Sequence, residues 1–104
     1  MKLIGLTDGL VAEAERECHQ GFRAWICEVT NASWLDHESL KQSFPRCESV
    51  DNFRFHVPLG AEGTGILADV YCGPGLVVAH AIAPSPISQQ NTIRNQKKNV
   101  IPAL

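Results

Sequence analysis

The sequence has no long hydrophobic run. The opening segment MKLIGLTDG contains too few apolar residues in a row to form the core of a signal peptide. No later stretch approaches the roughly 20 apolar residues that a membrane-spanning helix needs. We therefore expect a cytoplasmic protein with no membrane partner.

The cysteines and histidines lack the spacing of a metal or redox site. No pair among Cys18, Cys27, Cys47 and Cys72 shows C-x-x-C spacing, and the four histidines do not complete a zinc pattern. In a chain that is not exported, such cysteines are expected to be reduced thiols that pack like small apolar residues. Phosphate-binding glycine motifs and a nucleophile elbow are absent as well. The sequence predicts no metal and no cofactor.

The chain also lacks a basic excess. Its 104 residues carry a net charge of −2, with a pI of about 6.0. A protein that binds nucleic acid usually has surplus Lys and Arg, because neutralised phosphates supply most of the non-specific affinity. The total charge therefore argues against an RNA-binding role, although a local patch can differ from the total. The composition, 44% hydrophobic and 19% charged, is that of one folded domain.

Two helices are predicted near the start of the chain. After a short apolar segment over residues 2–6, Thr7 or Asp8 can cap the first helix by accepting backbone N–H groups of its first turn. Gly21 interrupts the pattern, and a second helix follows with apolar residues at i, i+3, i+4 and i+7: Phe22, Trp25, Ile26 and Val29. We predict that the two helices are antiparallel and joined by a turn at Gln20 and Gly21.

A third, short helix is expected between Asp36, which can cap it, and Pro45, which ends it. The pattern then changes to the alternation of a strand with one buried face. The apolar side is formed by Phe53, Phe55, Val57 and Leu59, and the other side by Arg54, His56 and Pro58. Two further strands are predicted over residues 66–71 and 76–83, joined by a turn at residues 72–75.

Helices followed by strands predict an α+β fold. We expect two or three N-terminal helices packed on a small antiparallel sheet of three to four strands. The folded domain is assigned to residues 1–83 and an irregular tail to residues 84–104. The tail is expected to dock through its apolar residues: Ile93, Val100, Ile101 and Leu104.

Several short motifs occur in the order found in one known family. The chain opens with Met1-Lys2-Leu3-Ile4, continues through Trp34 and Ser39-Leu40-Lys41, and reaches Phe44-Pro45 before the strands. A later strand, Ile66 to Tyr71, also fits this order. Over about residues 1–82 the chain resembles the HigB-type toxins of the RelE/ParE superfamily.

The resemblance implies a RelE-like fold and the role of a toxin held in check by an antitoxin protein. The implied activity is metal-independent cleavage of mRNA, so mRNA, the ribosome and a homodimer partner are all expected partners. Two family features differ, however. Thr64 or Gly65 stands near the place of a strand-opening arginine, and residues 83–86 replace the closing segment that supplies an acid–base His and Tyr.

Three residues are candidates for catalysis. Arg54 and His56 are predicted to share one side of a strand, where they can serve as phosphate ligand and as general acid or base. The alternative for this pair is a polar, solvent-exposed strand face. His80 is the third candidate, with a hydrogen-bonded histidine inside a packed face as its alternative. Asp69 and Tyr71 also share a face and are expected to form a structural pair.

Lys41 and Arg46, together with Arg54, are candidates for a basic track along an RNA backbone. Scattered surface charge is the alternative interpretation. The tail can extend such a track through three basic residues: Arg94, Lys97 and Lys98.

Three functions remain open at this point. The first is a toxin of a toxin–antitoxin pair that acts as an endoribonuclease. The second, indicated by the two departures from the family and by the acidic net charge, is a catalytically inactive relative that serves as a protein-binding or self-associating module. The third is an unrelated α+β protein, such as a mobile-element product of unknown function.

Overall fold

The computed structural model describes residues 1–60 and 63–85. Within these residues the chain forms two helices and one five-stranded sheet, so the predicted α+β class is confirmed. The elements follow in the order β1 (Lys2–Ile4), α1 (Asp8–Asn31), α2 (His37–Ser43), β2 (Glu48–Ser49), β3 (Arg54–Pro58), β4 (Thr64–Tyr71) and β5 (Leu76–Pro84).

The sheet has the strand order β1-β5-β4-β3-β2. β1 pairs parallel to β5, and the other neighbours are antiparallel. The prediction of three to four antiparallel strands is therefore wrong in two respects, since the described residues form five strands and one pair is parallel. β2 spans only two residues, too few to show an alternating pattern. The partner of β1 is more than 70 residues away in sequence, so its direction cannot be read locally.

The predicted turn between two N-terminal helices is not found at Gln20 and Gly21. α1 is helical on both sides of these residues, and its direction changes earlier, at Cys18, whose φ of −155° and ψ of 49° are not helical. Gly21 serves a different purpose. A Cβ atom built on it would collide with the backbone carbonyl of Leu59, so the glycine permits close contact between the helix and the segment that follows β3 instead of ending the helix.

α1 must bend at Cys18 because its C-terminal end is held close to the start of the chain. The backbone nitrogen of Met1 donates to the carbonyl oxygens of Val29, at 3.0 Å, and Ala32, at 2.7 Å. A straight helix from residue 8 to residue 29 would extend about 31 Å. The chain from Met1 to Asp8 spans at most about 25 Å even when fully extended. Only a bent helix can place Val29 beside Met1.

The core lies between α1 and one face of the sheet. α1 packs on β1, β4 and β5. It contributes a stripe of buried residues at spacings of three and four: Leu10, Ala14, Cys18, Phe22, Trp25 and Val29. The sheet contributes Phe55, Val57, Ile66, Ala68, Val70, Val77 and Ala79, all of them buried. α1 thus covers this face of the sheet, which we call the inner face. The apolar surface buried between them is the main term that stabilises the fold.

The short helix α2 agrees with the prediction at both ends. The Asp36 carboxylate accepts the backbone N–H of Ser39 at 2.9 Å, and this hydrogen bond lowers the pKa of Asp36. The helix ends before Phe44. Leu40 is buried, and the indole of Trp34 donates to the Ser43 hydroxyl at 2.9 Å. α2 is thereby fixed at one end of the core.

The strand predicted over residues 76–83 is observed as Leu76–Pro84. The predicted docking residues Ile93, Val100, Ile101 and Leu104, and the basic residues Arg94, Lys97 and Lys98, lie outside the described residues. Neither helix in the described part of the chain combines the length and apolar character needed to cross a membrane.

We predict opposite effects for two glycines of α1. Gly21→Ala is expected to lower the free energy of unfolding by about 1–3 kcal/mol, because the new methyl group overpacks the contact with Leu59. Gly9→Ala is the matched control, since nothing in the described residues lies within 4 Å of a Cβ at that position. It is expected to leave stability unchanged or raise it by up to about 1 kcal/mol, because alanine favours a helix. Urea denaturation measures both, and equal effects would contradict the close contact.

Candidate functional site

The candidate site lies on the face of the sheet opposite α1, which we call the outer face. Side chains alternate along a strand, so the neighbours of core residues in β3 and β4 point to this face. Arg54 is paired with Asp69, and His56 with Leu67, across β3 and β4. Tyr71 lies on the same side, two residues beyond Asp69. The predictions that Arg54 and His56 share one face, and that Asp69 and Tyr71 share one, are both in agreement with this register.

The Asp69 carboxylate brings three other side chains together. Arg54 Nε donates to Oδ1 at 2.8 Å, and its Nη2 donates to Oδ2 at 3.4 Å. His80 Nε2 lies 2.8 Å from Oδ2, and the Tyr71 hydroxyl donates to the same oxygen at 3.5 Å. We call these four residues the Asp69 cluster. The carboxylate is largely buried, with 15% of its side chain exposed, whereas Arg54 and His80 are 41% and 35% exposed.

The charges of the cluster stabilise one another. The hydrogen bond from Arg54 lowers the pKa of Asp69, and the bond from His80 acts in the same direction while partial burial opposes both. The same contact with Asp69 raises the pKa of Arg54. The site therefore holds a carboxylate and a guanidinium that stay ionised together, and the carboxylate can hold the imidazole of His80 by its Nε2–H.

His80 lies at a β-bulge in β5, on the same face as Val78, the partner of Asp69. Ala68 pairs with Ala79 and Leu67 pairs with Ala81, so His80 is an extra residue in β5. The sequence-based alternative, a hydrogen-bonded histidine inside a packed face, is right about the hydrogen bond but wrong about the packed face, because His80 is exposed. Ile82 pairs with Ile66 and packs against the core, whereas His80 is exposed on the outer face.

His56 lies apart from the Asp69 cluster and is fully buried, so the expectation of a solvent-exposed polar face is wrong for this residue. Its Nε2 lies 2.8 Å from the carbonyl oxygen of Ala83, where it donates. Glu48 is its partner across β2 and β3, and Glu48 Oε1 accepts from the Ser85 hydroxyl at 3.0 Å. His56 Nδ1 and Glu48 Oε2 are buried without a hydrogen-bond partner in the described residues. The end of β5 and the edge strand β2 therefore shield His56 from solvent.

An open depression of about 270 Å³ adjoins the Asp69 cluster. Its lining is formed by Asp51, Asn52, Phe53, Arg54, Asp69 and Tyr71. The rings of Phe53 and Tyr71 are stacked, with centroids 5.1 Å apart, and Phe53 is 49% exposed. We call this feature the aromatic depression. Sequence reasoning missed Asp51 and Asn52 and assigned Phe53 to the buried side, because Phe53 precedes the first residue of β3 and the alternation continues through it.

The other candidate residues are not brought into the cluster. Lys41 lies on α2 and Arg46 in the turn that follows it, and both are exposed. Within residues 1–60 and 63–85, neither forms an ion pair, and neither bonds to the Asp69 cluster through its side chain. A basic track that joins them to Arg54 stays a prediction.

The cysteines and acidic residues of the described segments do not build a metal centre. No group of three or more His, Cys, Asp and Glu side chains there is arranged to hold an ion. All four cysteines are free thiols; Cys18 is buried, Cys47 and Cys72 are partly buried, and Cys27 is exposed. Burial raises the pKa of Cys18, Cys47 and Cys72, so these three are held as neutral thiols.

No protein-family model matches this chain, and no curated protein matches it either. The resemblance to HigB-type toxins therefore depends on the short motifs of the sequence and stays a prediction.

We predict that Asp69 stabilises the fold in a pH-dependent manner. Because its pKa is lowered in the folded state, its contribution is fully present above the ordinary carboxyl pKa of about 3.9 and is lost as the pH falls through the lower folded value. Asp69→Asn is therefore expected to be less stable than the parent protein at pH 7, with a difference that shrinks below pH of about 4.

The control for this prediction is Asp51→Asn, at an exposed aspartate of the same depression. Urea denaturation from pH 3 to pH 7 compares the two variants with the parent. A stability difference for Asp69→Asn that is constant over this range would contradict the role of its ionised carboxylate.

Proposed function

We propose that the protein is a toxin-like endoribonuclease of the RelE/HigB type that cleaves RNA on its outer face without a metal ion. The observation that carries the proposal is the Asp69 cluster, in which one carboxylate holds a guanidinium, an imidazole and a phenol within 3.5 Å beside an open depression. The packing of α1 on one face of the sheet, which leaves the Asp69 cluster on the opposite face, supports the RelE-like fold that the sequence resemblance implies.

The cluster offers a group for each step of metal-free RNA cleavage. Because His80 donates its Nε2–H to Asp69, its Nδ1 is free to take the proton of a ribose 2′-hydroxyl. The 2′-oxygen then bonds to phosphorus as the bond from phosphorus to the 5′-oxygen breaks. Arg54 stabilises the negative charge on the phosphoryl oxygens, and Tyr71 gives its proton to the leaving 5′-oxygen. The products are a 2′,3′-cyclic phosphate and a free 5′-hydroxyl.

Asp69 acts here as a positioning residue. It holds His80 in one tautomer and fixes the direction of the Arg54 guanidinium, of which the Nη1 group remains available in a charge-assisted contact with phosphate. His80 and Tyr71 thus take the roles that the family's closing His/Tyr segment has in its members. Arg54 takes the role of the strand-opening arginine that this chain lacks.

We predict that His80→Ala lowers the rate of RNA cleavage by about 10²–10⁴-fold, because it removes the general base. Expression of the parent protein from an inducible promoter is expected to arrest growth, and His80→Ala is expected to relieve the arrest. His19→Ala is the matched control, since His19 is exposed on α1, away from the outer face. Cleavage of a purified RNA and growth curves are the two measurements. A parent protein that neither cuts RNA nor slows growth would refute the proposal.

A second function is favoured by other observations. The Arg54 guanidinium already makes two hydrogen bonds to Asp69, and the net charge is −2. Leu35, Val50 and Phe53 are large apolar residues that are 89%, 44% and 49% exposed. These features support a non-catalytic relative that binds a protein partner or itself. Under this alternative, expression is harmless and Arg54→Ala, His56→Ala and His80→Ala change no phenotype.

An antitoxin is the partner implied by the first function. An antitoxin that covers the outer face would block access to His80 and Arg54, the exposed reactive groups of that face. A reading frame beside the gene that encodes a helix-turn-helix protein would support this pairing.

A further inference from the structure

We infer that the aromatic depression is a base-binding subsite that selects guanine at the cleaved position of RNA. The inference rests on the proposed function for its substrate class, but it concerns residues that take no part in the cleavage steps. Three observations support it. Phe53 is stacked and half-exposed, Asp51 presents a carboxylate, and both residues lie beside Arg54.

The aromatic side of the depression suits a flat ring. Phe53 stacks on Tyr71 with an interplanar angle of 30°, and the His37 ring meets Phe53 edge-on at 6.1 Å. His37 is itself held at 3.1 Å from the carbonyl oxygen of Val70. Phe53 is thus fixed by two neighbours while half its surface stays open to solvent. Unpaired RNA bases bind to exposed aromatic rings of this kind by stacking.

The polar side of the depression presents hydrogen-bond acceptors. Asp51 is exposed, and its Oδ1 accepts the backbone N–H of Asn52 at 2.8 Å, which fixes the direction of the carboxylate. The loop itself is closed by two bonds to the Arg54 carbonyl oxygen, from the backbone nitrogens of Val50, at 2.8 Å, and Asp51, at 3.2 Å. The acceptor is therefore in place before a ligand arrives.

Guanine is the base whose pairing edge matches this acceptor. Its N1–H and N2–H₂ groups are adjacent donors, which fit the two oxygens of a carboxylate. Adenine, cytosine and uracil each place an acceptor atom next to their donor, and that atom would face a negative oxygen. Arg54, which lines the depression and is bonded to Asp69, can hold the phosphate of the same nucleotide.

Binding of mononucleotides to the full chain tests the inference. By NMR titration or calorimetry, 5′-GMP is expected to bind at least about fivefold more tightly than 5′-AMP, the ratio that a bidentate hydrogen-bond pair provides. Asp51→Asn is expected to remove this preference, and Phe53→Ala to weaken both nucleotides. Both residues are exposed, so the variants are expected to fold. Leu35→Ala is the matched control, because Leu35 is exposed and does not line the depression.

Several outcomes would overturn the guanine subsite. Equal affinity for GMP and AMP, or a preference that survives Asp51→Asn, would refute it. Tighter binding of an arginine amide than of GMP would show instead that the carboxylates and aromatic rings accept a basic protein segment. The two proposals fail separately: RNA cleavage without GMP preference refutes the subsite alone, whereas GMP preference without cleavage refutes the endoribonuclease and leaves a guanine-binding site that serves no cleavage.

Discussion

The close contact between α1 and one face of the sheet is the constraint on which the rest of the structure depends. The backbone of Gly21 lies against that of Leu59, and the end of the helix is tied to Met1. The second contact is possible only because the helix bends at Cys18, which brings Val29 back beside Met1. Once the inner face is filled in this way, the helix buries nothing on the outer face, and polar side chains can collect there at little cost to the core.

The separation of the two faces explains why a charged cluster is compatible with so small a fold. Asp69 lies in β4 between Ala68 and Val70, two buried core residues. The alternation that sends those neighbours inward sends the carboxylate outward. Its partial burial would raise its pKa, but Arg54 and His80 more than offset that penalty. The cluster is therefore stabilised by its own pairing.

Much of the fold could be predicted from local patterns. The buried stripe of α1, the cap at Asp36 and the positions of β4 and β5 all follow from spacings within one element. The kink, the parallel pairing of β1 and the existence of β2 could not be predicted, because each depends on contacts between distant parts of the chain. For the site, alternation placed Arg54, Asp69 and Tyr71 on shared faces. It also placed His56 on the outer face but could not show that the end of β5 buries this residue, and it wrongly placed Phe53 inside.

The bulge in β5 has an evolutionary consequence. Since Ala79 and Ala81 pair with the adjacent residues Ala68 and Leu67, deleting His80 would leave an uninterrupted ladder with every other partner unchanged. The imidazole thus occupies the position of a one-codon insertion. A lineage of such proteins can gain or lose this group without repacking its interior, so reactive and inert descendants are separated by a single small genetic step.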